Sequence, residues 1–597
     1  MKSITGLDAA FLYAETPTSP MHIGSVAIVE GSLEFDTFRS LIHSRLHQIP
    51  KLRKRLVQVP FGIDYPYWAD DPNFDIDMHL THVALPQPGG WKELRKIAST
   101  IFSSPLSQSR PLWSFYFVEG VNDIDQVPKG STAIIAKVHH VAIDGMAGAG
   151  LLSLLFDFTK DAQPIPKPRP YKPDSLPNQM ELLVKSGLSF ANNPLKFPKL
   201  ISEALSVSLK SGMFNSTHNA ELPTAPFSAP PSLFNQIISS RRKWNTAILS
   251  LERIQKLKKI MEVTFNDVIL GICAGALRRY LLEKDELPLK PLVAMVPIST
   301  RTSAEKDEAD NQISSMLIQL ATHVEDPIER LAEIHENTIR GKSYQGAVGA
   351  KTLANMAEIV PFGLANQAAK MYSRYKLAEL HTPMCNVTIT NVPGPQFPLY
   401  LHGHKLLDVM GMAPIIDGMG LIITVFSYNG NVTISSTSDV KTMPDINVFT
   451  RYIRESSNEL EELILKKGKP KSKKIKAKKE KTTLPLSDDL FKHIREQLKL
   501  NAKHIKPKNG VFMFVVTGYD KDIHWKIDIN KSPGSVRKSK TKSPDATFII
   551  AEKHLMKIGA GRLNLQTAFI QGRLKISGDS AKAMKLGSIL SKIEKYD

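Results

Sequence analysis

Two adjacent histidines, His139 and His140, close the apolar run TAIIAKV and stand just before Asp144 and Gly145 in the stretch KVHHVAIDG. An imidazole with an ordinary pKa near ~6.5 can take a proton from a hydroxyl and later return it, so a histidine at a strand end is a candidate general base. The β-prone run sets a period of two, which puts His140 on the face of Val138 and Ala136 and turns His139 to the face of Lys137. Only one histidine of the pair can face a given cleft. Asp144 is expected in the following turn, and Gly145 supplies the backbone freedom for a sharp entry into the helical MAGAGLLSLLFDF. A metal site built from His139, His140 and Asp144 is disfavoured, because adjacent residues on opposite faces do not easily converge on one ion.

A base of this kind needs a donor for the oxyanion that develops as its partner hydroxyl attacks. In NVTIT, Asn386, Thr388 and Thr390 alternate onto one face of a predicted strand, which is either an oxyanion-donating face or a solvated one. Asn266 and Asp267 open the helical FNDVILGICAGALRRYLLEK, where their place suits plain helix capping. In the triplet Pro111, Leu112, Trp113, the tryptophan suits a channel wall or core packing.

The elements that must position these residues are mixed. Strand-like runs (GSVAIVEG, LWSFYFVEG, TAIIAKV, PLVAMVPIS, MCNVTITNV, GLIITVFSY, NVTISST) alternate with helical patterns, which predicts an α/β (α+β) architecture. With 597 residues, 42% hydrophobic and 23% charged, the chain has the balance of a globular protein of several domains. No apolar run reaches the ~20 residues that span a bilayer, and the N-terminus lacks the pattern of a secretory signal, so a cytoplasmic location is expected. Two cysteines, Cys273 and Cys385, exclude a disulfide framework or a cysteine-rich metal centre.

The net charge of +19 is unevenly spread. Ten lysines and one glutamate between Lys466 and Lys481 contribute close to half of it, in a stretch with almost no apolar content. Such a segment is an extended spacer, with attraction to anionic lipid as a further role. Nucleic acid is not the expected partner, since no aromatic side chain interleaves with the lysines. The predicted organisation is an N-terminal half, 1–180, a proline-flanked amphipathic connector, 181–235, a second half, 236–465, the basic linker, 466–484, and a small α+β domain, 485–597.

HHVAIDG, with LDAAFLYAETPTSPMHIG, PLW, FNDVIL, PLVAMVPIST and NVTITNVPGP in that order, resembles the bacterial wax ester synthase/acyl-CoA:diacylglycerol acyltransferase family over nearly all of residues 1–465. The resemblance implies two chloramphenicol-acetyltransferase-like halves with a tunnel between them. It implies His140 as general base, with His139, Asp144 and Gly145 completing the motif, and a site-organising role for Asn266 and Asp267. The implied substrates are acyl-CoA and a diacylglycerol or long-chain alcohol, with no cofactor, and the implied setting is peripheral contact with a membrane or lipid-droplet surface, such as the inner face of the plasma membrane. Ser107 and Ser114 stand where the family often carries acidic residues, so local ion pairing is expected to differ. A peptide-synthetase condensation domain shares HHxxxDG, but the ND and NVPGP stretches argue against it; an idle lipid-transfer protein is the other alternative. Residues 485–597 resemble the sterol carrier protein 2 family, through GVFMFVVTG, the Trp525 segment, PDATFII and LNLQTAFIQGRLKISGD. That implies a lipid-binding domain, whose tethering would raise the local concentration of an insoluble ligand.

Overall fold

Runs of β-branched and aromatic residues form strands throughout the chain, because a pleated, half-buried surface suits their branched side chains. In the computed structural model the described residues are 2–60, 64–142, 154–184 (without 158 and 163), 224, 227–299, 313–348, 371, 381–467, 486–500, 510–517, 522–559 (without 531, 533 and 542), 574–579, 582 and 586. They fall into two units, Met1–Pro470 and Lys471–Asp597.

The first unit is built on twelve strands: β1 (His22–Val29), β2 (Leu80–Ala84), β3 (Trp113–Val121), β4 (Ser131–His139), β5 (Arg242–Ser250), β6 (Val293–Ser299), β7 (Ile313–Gln319), β8 (Val387–Pro393), β9 (Tyr400–Leu401), β10 (His404–Met412), β11 (Leu421–Tyr428) and β12 (Asn431–Asp439). They make two six-stranded sheets, ordered β9-β10-β1-β4-β3-β2 and β7-β6-β8-β11-β12-β5. A small third sheet joins Lys2–Ser3, Tyr67–Asp70 and Lys54–Val57. All nine residues of β4 are buried, as suits a central strand covered on both faces.

The second half lends strands to the first sheet. The segment 400–412, assigned by sequence to the second half, adds β9 and β10 to the first sheet, with β10 antiparallel to β1 from Leu406 opposite Val29 to Met412 opposite Gly24. Alternation predicts a strand but not which sheet will receive it, and the loop VPGPQFP carries the chain across. On the far side, helix α1 (Trp91–Ser103) meets β5: Trp244 is buried and its Nε1 donates to the Gly411 carbonyl at 3.0 Å, while the Arg242 backbone N–H donates to Ser103 Oγ at 2.9 Å.

Helix α2 (Phe265–Glu283) is apolar around most of its circumference because it is enclosed between the second sheet and α3 (Ile446–Lys467). Gly275 makes that approach possible, since a Cβ there would collide with Ser456 Oγ. Among the described residues no single helix is long and apolar enough to cross a membrane.

The second unit has a five-stranded sheet from Val511–Thr517, Ile523–Asp528, Ser535–Lys538, Ala546–Ala551 and Leu574–Gly578. Helix α4 (Leu486–Leu500) lies on it, with Phe491 stacked on Trp525 at 4.7 Å. Residues 185 to 223 of the connector, the basic segment from 468 to 485 and most of the stretch AKAMKLGSILSKI lie outside the described residues.

Candidate active site

Between the two large sheets of the first unit lies a cavity of about 650 Å³, lined almost wholly by apolar side chains. That size and character suit an apolar ligand oriented by a few polar groups. Among the described residues His140 is the one histidine in its wall, with polar neighbours that include Ser25, Thr388, Thr390 and Thr424.

Strand β4 ends at His139, and His140 opens a short 3-10 turn, His140–Ala142. The alternation nevertheless carries through the strand end: Ile134, Ala136, Val138 and His140 all line the cavity, while Lys137 and His139 do not. The turn is held by the His140 backbone N–H, which donates to the Met21 carbonyl at 2.8 Å, and the ring stacks on Phe11 at 3.6 Å. Burial, reinforced by the neighbouring His139, pushes the His140 pKa down to about 4. At neutral pH the imidazole is therefore unprotonated, the state a base requires.

His139 is fully buried on the opposite face. Its Nδ1 accepts from the Val141 backbone N–H at 3.1 Å, bracing the turn, and its Nε2 lies 3.4 Å from Glu15 Oε1. Burial alone would raise the Glu15 pKa, but His139, the Gln108 amide and the Met21 N–H together hold it below the ordinary value. Glu15 and Phe11 were not singled out in the sequence. Both lie in LDAAFLYAE, four residues apart, and one serves each histidine.

Lys137 is also buried, its Nζ donating to the carbonyls of Ile101 and Ser104 at 3.0 and 2.8 Å at the end of α1. Its register partner is Ser114, where an acidic residue was the family expectation. With a hydroxyl there, the ammonium rests on helix carbonyls and burial lowers its pKa to about 8. Beside it, burial and the charge of Lys137 push His22 down to about 3.

The remaining candidates separate. Thr388 and Thr390 share the cavity wall with His140. Asn386 does not: it precedes β8, is fully buried, accepts from the Val293 N–H and donates to the Pro230 carbonyl and Asn235 Oδ1. Asp267 caps its own helix, exchanging hydrogen bonds with Thr264, and pairs with His335 Nδ1 at 2.7 Å. Asn266 accepts from the Asn391 side chain at 2.6 Å, which ties the helix to β8 next to Thr390. Neither lines the cavity.

The channel reading of Pro111, Leu112 and Trp113 does not match their position. Trp113 is buried in the core of the first sheet, donates to the Leu52 carbonyl at 2.7 Å and stacks on His79 at 4.4 Å. The Leu112 carbonyl instead receives the His139 N–H at 2.9 Å, so the triplet supports the strand end from the neighbouring strand. Asp144 and Gly145 lie outside the described residues. Among the described residues no group of three or more His, Cys, Asp and Glu side chains could hold a metal ion.

The levels of the two sheets can be matched. Gly411 pairs with Ser25, which pairs with Ala136, and a Cβ on Gly411 would stand 2.9 Å from Thr424 Oγ1, whose strand partner is Thr390. One step toward His140, Ala413 shares a buried cluster with Ile422, the partner of Thr388. Thr388 is therefore on the histidine side of Thr390.

Two facing sheets thus enclose an apolar cavity that carries His140 in its wall. The family model for the wax ester synthase/diacylglycerol acyltransferase catalytic domain matches residues 4–269, the corresponding C-terminal domain model matches 309–461, and that of the SCP-2 sterol transfer family matches 491–591. A protein of Mycobacterium tuberculosis (strain CDC 1551 / Oshkosh) named as a diacylglycerol O-acyltransferase is 32% identical over 451 residues, 75% of this chain and 87% of its own. Another from that strain, named as diacylglycerol O-acyltransferase tgs2, is 31% identical over 474 residues, 76% of this chain and 98% of its own. The solved wax ester synthase/diacylglycerol acyltransferase from Marinobacter aquaeolei VT8 is similar with 25% identity and a TM-score of 0.54, covering 77% of this chain and 99% of that one. The chain belongs to the wax ester synthase/diacylglycerol acyltransferase family, and its C-terminal unit carries an SCP2 domain. It is an O-acyltransferase.

Proposed function

We propose that the protein transfers a long-chain acyl group from acyl-CoA to the hydroxyl of a diacylglycerol or a long-chain alcohol, giving triacylglycerol or wax ester, with His140 as general base. The observation that carries this reading is a single histidine, stacked on Phe11, set into a cavity whose described wall is otherwise nearly all apolar, where burial favours its unprotonated form. His140 takes the hydroxyl proton as the oxygen attacks the thioester carbonyl carbon. The tetrahedral oxyanion collapses, the C–S bond breaks, and the imidazolium returns the proton to the departing thiolate. The names of the relatives favour diacylglycerol as acceptor. The test is product analysis by thin-layer chromatography after incubation with palmitoyl-CoA and equal amounts of dioleoylglycerol and hexadecanol; triacylglycerol should predominate, and absence of both esters would overturn the reading.

The oxyanion donor we assign is Thr388, which lines the cavity on the histidine side of Thr390. Thr388→Val removes the hydroxyl at nearly constant shape and should lower kcat about 10- to 100-fold with little change in KM. Thr390→Val should cost less. The SCP2 unit would hold acyl chains or other lipid near the site, and the acyltransferase itself would work peripherally on a cytoplasmic lipid surface.

A further inference from the structure

Strand β8 turns Thr388, Thr390 and Val392 to the same cavity face, and their exposure rises along it. Thr388 is 7% exposed and Val392, also a lining residue, is 46% exposed. Val392 is thus an exposed end of the cavity-lining face, beyond Thr390 from His140. The sequence continues PGPQFP, with Pro393 exposed and Phe397 48% exposed, and no charged residue occurs from Asn386 to His404.

This apolar tip is not a frayed end. The Gly394 N–H donates to the Ser427 carbonyl at 2.9 Å, the Asn429 N–H to the Pro395 carbonyl at 3.1 Å, and the Gly430 N–H to Gln396 Oε1 at 3.1 Å. A Cβ on Gly394 would come within 2.5 Å of the Ser427 carbonyl oxygen, so the backbone is pressed against the β11–β12 hairpin. A fixed loop that leaves apolar side chains about half exposed next to a cavity-lining residue has the character of a docking surface.

We propose that the loop Val392–Pro398 docks on a lipid surface and admits the insoluble acyl acceptor to the cavity past Val392. This rests on the acyl-transfer reading for the identity of the cargo. The occupant is lipid because this exposed end is continuous with a cavity wall that is itself apolar, so a molecule leaving a lipid phase there meets apolar surface throughout.

The test uses the full chain with Phe397→Cys carrying a polarity-sensitive nitrobenzoxadiazole dye. Both native cysteines are buried, so the introduced thiol is the one labelled. Mixed with phosphatidylcholine vesicles containing dioleoylglycerol, the dye should brighten and shift to the blue, and should be quenched by nitroxides on the lipid acyl chains. Separately, Phe397→Asp should cut the rate on vesicle-borne dioleoylglycerol about tenfold or more while sparing a short-chain acyl-CoA and a water-soluble alcohol. A dye that stays in water while the protein sediments with vesicles would overturn the proposal, as would a Phe397→Asp variant that changes oligomeric state and leaves the vesicle rate intact. Failure of the parent enzyme on soluble and vesicle-borne substrates alike would sink the acyl-transfer reading instead, and the dye would still judge docking.

Discussion

His140→Ala should lower the rate of CoA release from palmitoyl-CoA plus acceptor by between about a hundredfold and ten-thousandfold, the range spanned by positioned general bases. The loss should fall on kcat, because the ring's part in the reaction is to accept a proton that moves only as the bond forms. His139→Ala should leave part of the activity. That variant removes the Nδ1 brace on the Val141 N–H and strips Glu15 of its neighbour, but leaves the His140 ring against Phe11.

The pH profile gives an independent check. A base whose pKa is pushed down to about 4 stays unprotonated as pH falls from 8 to 5, so kcat/KM should be flat across a range where an ordinary histidine would lose most of its activity. The same shift works against the fold in acid. Between about pH 6.5 and 4 the unfolded chain takes up a proton at His140 that the native state refuses, so stability rises with pH across that window and is lost as pH falls through it. His22, pushed to about 3, adds to this in the same direction. Circular dichroism at each pH therefore has to accompany the kinetics. An acidic limb centred near 6.5 in a protein that remains folded would show that His140 is not the group titrating.

The legible parts of this site were those governed by local alternation. TAIIAKVHH assigned the two histidines to opposite faces, and the structure has His140 in the cavity wall and His139 behind it even though the strand has already ended. NVTIT was legible for the same reason, but only in part. Thr388 and Thr390 face the cavity, whereas Asn386 lies one residue ahead of the strand and spends its amide on Val293, Pro230 and Asn235, partners 93 to 156 positions away. Nothing local announces such contacts. Glu15 was hidden likewise, since a carboxylate after a short helix reads as a solvated end until a buried histidine from 124 positions further on is placed against it. At Asp267 the two sequence readings were physically distinguishable only in three dimensions: the side chain caps α2 through Thr264, and Asn266 reaches toward β8 through Asn391. The transfer of 400–412 to the first sheet follows from packing the two sheets against each other, a step that leaves no period in the sequence.

Trp113→Ala should destabilise the first unit by about 3 to 5 kcal/mol, the cost of emptying a large buried aromatic site. The ring is essentially inaccessible, donates to the Leu52 carbonyl and stacks on His79, whose own Nδ1 is 2.8 Å from the Trp113 carbonyl. Trp113→Phe keeps most of the volume but leaves the Leu52 carbonyl without its buried donor, a loss of about 1 to 3 kcal/mol. Thermal unfolding should therefore order the proteins as parent, Phe variant, Ala variant. The kinetic consequence separates this role from that of a channel wall. A side chain lining the acyl path would change the ratio of kcat/KM for long and short acyl-CoA at unchanged stability, because pocket shape discriminates chains methylene by methylene. Trp113 sits beside the cavity-lining Val138 on the same face of the sheet but does not itself line the cavity, so the Phe variant should keep the parent's chain-length ratio while unfolding at a lower temperature. The Ala variant should also lose kcat. Its neighbour Leu112 receives the His139 N–H, and loosening that contact frees the strand end from which His140 is aimed. An altered chain-length ratio in a Phe variant of parental stability would return Trp113 to the substrate path.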